Sequence, residues 1–165
     1  MFVWALVAVA ALGGCATQAR VGPTDLDVLV GKPWTGTLTY KDYQSGMPTT
    51  IRSSLVVTRV AGRADAWDVR FGYSDEPRAN RENVVVRGSD GTVFDDETVV
   101  ERTVMEDGSV RIVTESDGED DHRPARLRHV WVLGRHRSSL EKLVRYTGEA
   151  EFFERNVYRW EREGE

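Results

Sequence analysis

The chain has 165 residues, 40% of them hydrophobic and 30% charged, with a formal net charge of −5, the balance of one folded domain rather than of a disordered chain. Its 22 Lys and Arg are outnumbered by 27 Asp and Glu, so no basic excess draws nucleic acid, and none is expected as a partner. The single cysteine excludes an internal disulfide framework and a cysteine-built structural zinc site.

Residues 2–12 read Phe-Val-Trp-Ala-Leu-Val-Ala-Val-Ala-Ala-Leu. The run is shorter than the roughly 20 residues of a spanning helix and has the length of a signal-peptide apolar region, so residues 1–14 are read as a signal peptide. Leu12-Gly13-Gly14-Cys15 resembles the lipobox of bacterial lipoproteins. The resemblance implies that Cys15 is acylated on sulfur, becomes the mature N-terminus and anchors the protein to a membrane of the bacterial cell envelope. At about 0.8 kcal/mol per buried methylene, several acyl chains make a stable anchor. Ala16, where an Asp would retain the protein at the inner membrane, resembles the outer-membrane pattern of proteobacterial lipoproteins. In a Gram-negative host the expected address is therefore the outer membrane, facing the periplasm. Residues 15–24 are small and polar with Gly22-Pro23 and are predicted to be a tether. Residues 25–165 form the predicted domain.

Thr24 or Asp25 can cap a short helical turn, with Leu26, Leu29 and Val30 as its apolar side and Gly31 as its stop. Beyond it the period of the apolar residues is two. Trp34, Gly36, Leu38 and Tyr40 alternate with threonines, and Trp67, Val69, Phe71 and Tyr73 alternate with Asp68, Arg70 and Gly72, the pattern of pleated strands. The pattern predicts strands over 34–43, 50–60, 66–73, 83–87, 92–94, 98–105, 109–115, 125–134, 138–147 and 151–161. Asp90-Gly91, Asp107-Gly108 and Asp117-Gly118 favour tight hairpins, and 74–82 and 116–124 read as polar loops. No connection leaves room for a helical crossover, so the fold class is all-β, an antiparallel up-and-down meander. Such a sheet either stacks in two layers or closes, and closure removes its exposed edges.

Gly31-Lys32-Pro33-Trp34, opening the first strand, resembles the Gly-x-Trp entrance of calycins, the group of lipocalins and fatty-acid-binding proteins. The resemblance implies a closed barrel with Trp34 packed beneath it against an arginine of the last strand. Of Arg155 and Arg159, Arg159 lies farther from the preceding turn and is the expected partner. Asn156-Val157-Tyr158 resembles the Arg-x-Tyr carboxylate handle of fatty-acid-binding proteins, with Asn standing where that handle has Arg.

No Gly-x-Ser-x-Gly elbow, phosphate-binding glycine loop or dinucleotide fingerprint occurs, so no catalytic residue and no cofactor is expected. His129 and His136 lie seven apart and face opposite sides of a regular strand, so no metal site is expected. Glu115 to Asp121 packs five acids into seven residues without the spacing of a calcium loop, and reads as a solvated hairpin. More informative are polar residues on apolar faces: His129 beside Trp131, Lys142 beside Tyr146, Asn156 beside Tyr158. Together with Trp67, Phe71 and Tyr73 these nine are the candidate ligand-lining residues, since buried polar groups pair with each other, with water or with a ligand. Two functions follow. One is non-catalytic binding of a small apolar ligand in the lumen. The other is an adaptor with a filled core whose loops 74–82 and 116–124 hold an envelope protein partner. A cavity of about 300 Å³ or more favours the first; a lumen closed by Trp and Tyr favours the second.

Overall fold

The computed structural model describes residues 18–162; the predicted signal peptide and Cys15 lie outside them. A 3-10 turn over Asp25–Leu29 precedes ten strands: β1 (Trp34–Lys41), β2 (Pro48–Arg59), β3 (Ala66–Gly72), β4 (Arg81–Val86), β5 (Val93–Phe94), β6 (Glu97–Val104), β7 (Val110–Asp120), β8 (Arg123–Leu133), β9 (Arg137–Tyr146) and β10 (Phe153–Glu161). All pairs are antiparallel, in the order β4-β3-β2-β1-β10-β9-β8-β7-β6-β5. The sheet is a meander in which β10 returns beside β1, and it curls into a nearly closed, calycin-like barrel.

The segment 116–124 is not a loop. β7 and β8 run through it and turn on Asp121 and His122, both in the left-handed region at φ 48° and 58°. Cross-strand charge explains the correction. Glu115 pairs with Arg128 and Asp117 with Arg126 in register, so the acid run becomes the outer face of a ladder opposite arginines. Alternation then sends Asp120 inward, where its side chain is only 7% exposed.

The hairpins alternate between two ends. At one end the Asp25–Leu29 turn packs Leu26 and Leu29 under Trp34, Trp67, Phe94 and Trp160, all essentially buried. Each of three buried indole N–H groups finds an acceptor there: Trp34 on the Leu29 carbonyl at 3.0 Å, Trp67 on Asp27 at 3.0 Å and Trp160 on Ser53 Oγ at 3.2 Å. This end is filled, each large apolar side chain contributing about 1.5–3 kcal/mol by burial.

The cation over Trp34 is Arg162, 4.4 Å from the ring centroid, not Arg159. The inner face of β10 carries Asn156, Tyr158 and Trp160, so Arg159 projects to solvent and Arg162, in phase with Trp160, turns under the barrel. Arg155, the other residue considered, belongs to a network at the opposite end.

The barrel closes at a seam between β4 and β5, the two ends of the sheet. One antiparallel bridge joins Arg87 to Phe94, with Asp95 N–H donating to the Val86 carbonyl at 2.8 Å and Gly88 N–H to the Val93 carbonyl at 2.9 Å. An N-terminal strap is stitched along this seam. Val21 N–H donates to the Gly91 carbonyl at 2.8 Å, Arg87 Nε donates to the Val21 carbonyl at 2.6 Å, and Asp25 takes Arg102 through both oxygens at 2.7 and 2.8 Å.

Candidate functional site: the polar half of the lumen

Register places all nine candidate lining residues on one face of the sheet. Phe71 lies opposite Leu55, Trp131 opposite Ile112 and Leu140, His129 opposite Thr114 and Lys142, and Asn156 opposite Tyr40 and Lys142. That face points into the barrel, because Leu55, Ile112, Trp131 and Leu140 on it are buried. Inside, the nine divide into groups. Trp67 belongs to the filled end. Lys142 and Tyr146 join one polar network, and Tyr73 and Tyr158 another. Phe71, His129 and Trp131 line a cavity, and Asn156 lines the inner wall away from it.

The first network gathers on Asp120. Tyr43 donates its phenol proton to Oδ2, Lys142 Nζ stands 3.0 Å from Oδ1, Arg155 Nε 3.6 Å from it, and Tyr146 donates at 3.4 Å. Burial alone would raise the Asp120 carboxyl, but the bonds from Tyr43 and Lys142 outweigh it and hold it below the ordinary range. The same burial, with the Asp120 bond, pushes the Tyr43 phenol well up. Arg155 also lies over the Tyr43 ring at 4.2 Å, and Arg123 over Tyr146 at 3.5 Å. One carboxylate thus gathers two cations and two phenols at this end.

The second network sits behind the seam. His129 Nδ1 lies 2.8 Å from Glu97 Oε2 and 3.0 Å from Oε1, and Thr114 and Ser116 donate their hydroxyls to the same carboxylate, Ser116 at 2.8 Å. Burial by itself raises Glu97; the His129 bond and charge, with the two hydroxyls, win and lower it. His129 Nε2 has no hydrogen-bond partner among the described residues. Across the lumen Tyr73 and Tyr158 share a hydrogen bond of 2.7 Å, and Arg81 Nη2 donates to Tyr158 at 3.2 Å while its guanidinium lies 4.3 Å from the Phe71 ring centroid. A guanidinium therefore does reach Tyr158, from β4 rather than from the position Asn156 occupies.

Between these groups lies a cavity of about 220 Å³, lined by Phe71, Val85, Trp131 and Leu140 on its apolar side and by Arg81, Asn83, Asp95, Glu97 and His129 on its polar side. It is smaller than the roughly 300 Å³ expected of a lumen that carries an apolar ligand, so that size criterion is not met, and its wall is amphipathic. Polar side chains from β4 and the β5–β6 turn face the cavity, because the sheet ends at this seam and leaves them access to water.

Sequence reasoning missed Arg81, Asn83, Asp95 and Glu97. The strand over 83–87 begins two residues early, at Arg81, and extending its alternation backward from Val85 would have turned Asn83 and Arg81 inward. Asp95 and Asp96 carry φ of 54° and 62° at the turn that joins β5 to β6, and the Asp-Asp pair after Val93-Phe94 is the sequence signal for it. Among the described residues no three His, Cys, Asp or Glu side chains gather to hold a metal ion. The chain matches no protein-family model and is not significantly similar to any curated protein.

Proposed function

We propose that the protein is a lipid-anchored component of the bacterial cell envelope that binds a small molecule inside its barrel without catalysing a reaction on it. The anchor rests on Leu12-Gly13-Gly14-Cys15. The ligand reading is carried by one observation: the cavity behind the seam is walled on one side by aromatic and aliphatic surface and on the other by polar groups, of which Asn83 and Asp95 make no side-chain hydrogen bond among the described residues. The volume restricts the ligand to a compact, partly polar molecule and argues against a fatty acid or a pigment.

Native mass spectrometry of the full-length protein, gently extracted from host membranes, tests this reading. The expected result is a small mass that is retained on the folded protein and lost on denaturation, together with acylation at Cys15. A bare protein under every mild condition would overturn the ligand reading. Partitioning of a Cys15→Ser variant with the membrane, like the unmodified protein, would overturn the anchor.

The adaptor reading retains one observation in its favour. β6 and the turn after it expose Val100 at 45%, Val104 at 59% and Met105 at 41%, apolar surface suited to an envelope protein partner.

A further inference from the structure

The cavity mouth at the seam carries one solvent-exposed cation, Arg81, and one solvent-exposed anion, Asp95, neither with an ion-pair partner among the described residues. Arg81 contacts a phenol and an aromatic face, and among the described residues no carboxylate stands within ion-pair distance of it. Asp95, across the cavity, makes no side-chain hydrogen bond. Glu97 is already engaged by hydrogen bonds with His129, Thr114 and Ser116. His129 Nε2 and the Asn83 amide add uncommitted hydrogen-bonding capacity on the same wall.

From this arrangement, and resting on the reading of the cavity as a ligand site, we infer that the ligand is a small zwitterion of the amino-acid type with an apolar side chain. Its carboxylate is taken by Arg81, its ammonium by Asp95, and its side chain lies against Phe71, Trp131 and Leu140. The argument is one of charge matching. A monoanion leaves Asp95 opposing it and a monocation leaves Arg81 opposing it. An uncharged molecule leaves both ions to be desolvated without compensation. A zwitterion satisfies both ions, and the apolar wall selects against purely polar solutes. Space sets the size, since at about 30 Å³ per water the cavity has room for about seven waters' volume.

Isothermal titration of the folded protein at neutral pH with four probes of one carbon skeleton tests the inference: leucine, N-acetyl-leucine, leucine methyl ester and 3-methylbutanol. Leucine is expected to bind at least tenfold tighter than each of the other three. Arg81→Gln and Asp95→Asn should each weaken leucine at least tenfold, and Asp95→Asn should bring N-acetyl-leucine within a few-fold of leucine. Asn tolerates the left-handed backbone of position 95, so that variant is expected to fold, and near-ultraviolet circular dichroism checks it. Arg78→Gln, an exposed change outside the cavity, should leave binding intact. N-acetyl-leucine or the alcohol binding as tightly as leucine, or Asp95→Asn leaving leucine binding unchanged, would overturn the zwitterion while the ligand site stands. No binding by any probe, with a retained ligand of other chemistry in the native spectrum, also overturns this inference alone. No probe binding and no retained ligand overturns both readings.

Discussion

The guanidinium of Arg162 lies 4.4 Å from the ring centroid of Trp34, and its Nη2 donates to the carbonyls of Val28 at 3.2 Å and Arg135 at 3.3 Å. One side chain therefore ties the floor of the barrel to the N-terminal turn, the end of β10 and the β8–β9 hairpin. A cation on an indole contributes about 0.5–2 kcal/mol and each hydrogen bond about 1 kcal/mol. Arg162→Ala should thus cost about 2 kcal/mol in urea denaturation. Arg159→Ala, on the exposed face of the same strand, should stay within about 0.5 kcal/mol of the parent.

Glu97 links stability to pH. Its carboxyl is desolvated, which would raise it, yet His129, Thr114 and Ser116 lower it below the ordinary 4.5. A carboxyl depressed by folding stabilises the native state above its unfolded value, and that contribution is lost as pH falls through the folded value. Glu97→Gln should cost about 1–3 kcal/mol at neutral pH. Below about pH 4.5 the parent should lose stability faster than the variant. Urea midpoints measured across that range should converge; parallel curves would show that Glu97 carries no such linkage.

Asp120 is the shared acceptor for Tyr43, Tyr146, Lys142 and Arg155. Asp120→Asn leaves Lys142, 22% exposed, facing Arg155 with no compensating anion, and should cost about 3–5 kcal/mol. Adding Lys142→Met removes the stranded charge and should recover part of the loss. A double-mutant cycle by chemical denaturation reads the coupling, and strict additivity would deny it.

Gly36 is fixed by its neighbour strand. A Cβ built there meets the Arg159 carbonyl oxygen at 1.9 Å and the Trp160 Cα at 2.8 Å, both backbone atoms that cannot rotate away. Gly36→Ala should part β1 from β10 and cost about 3 kcal/mol or more. The near-ultraviolet dichroism of Trp160, the residue opposite it in register, should change with it.

Most of the fold was legible because alternation is a local property. The ten strands lie within a few residues of their predicted bounds, except that β7 runs on to Asp120. There a run of acids looked like solvated loop, and only the arginines of the next strand reveal it as a ladder. Arg162 was legible in principle, since the phase that turns Tyr158 and Trp160 inward also turns Arg159 outward. The inward direction of the nine candidate residues was legible from strand phase, but only Phe71, His129 and Trp131 of them line the cavity. The seam was not legible. Arg81, Asp95 and Glu97 share a cavity with His129, Trp131 and Leu140 from distant strands, and nothing local announces which two strands end the sheet.

The strap that crosses the seam also has a mechanical meaning. Tension arriving through the chain ahead of Gln18 passes into the Val21 bonds to Gly91 and Arg87 and the Asp25–Arg102 pair. These lie where the barrel is held by a single bridge instead of a full strand ladder. A pull on the N-terminal segment is thus delivered to the weakest line of the wall and not spread over the sheet, so the seam should be the first part to yield under load.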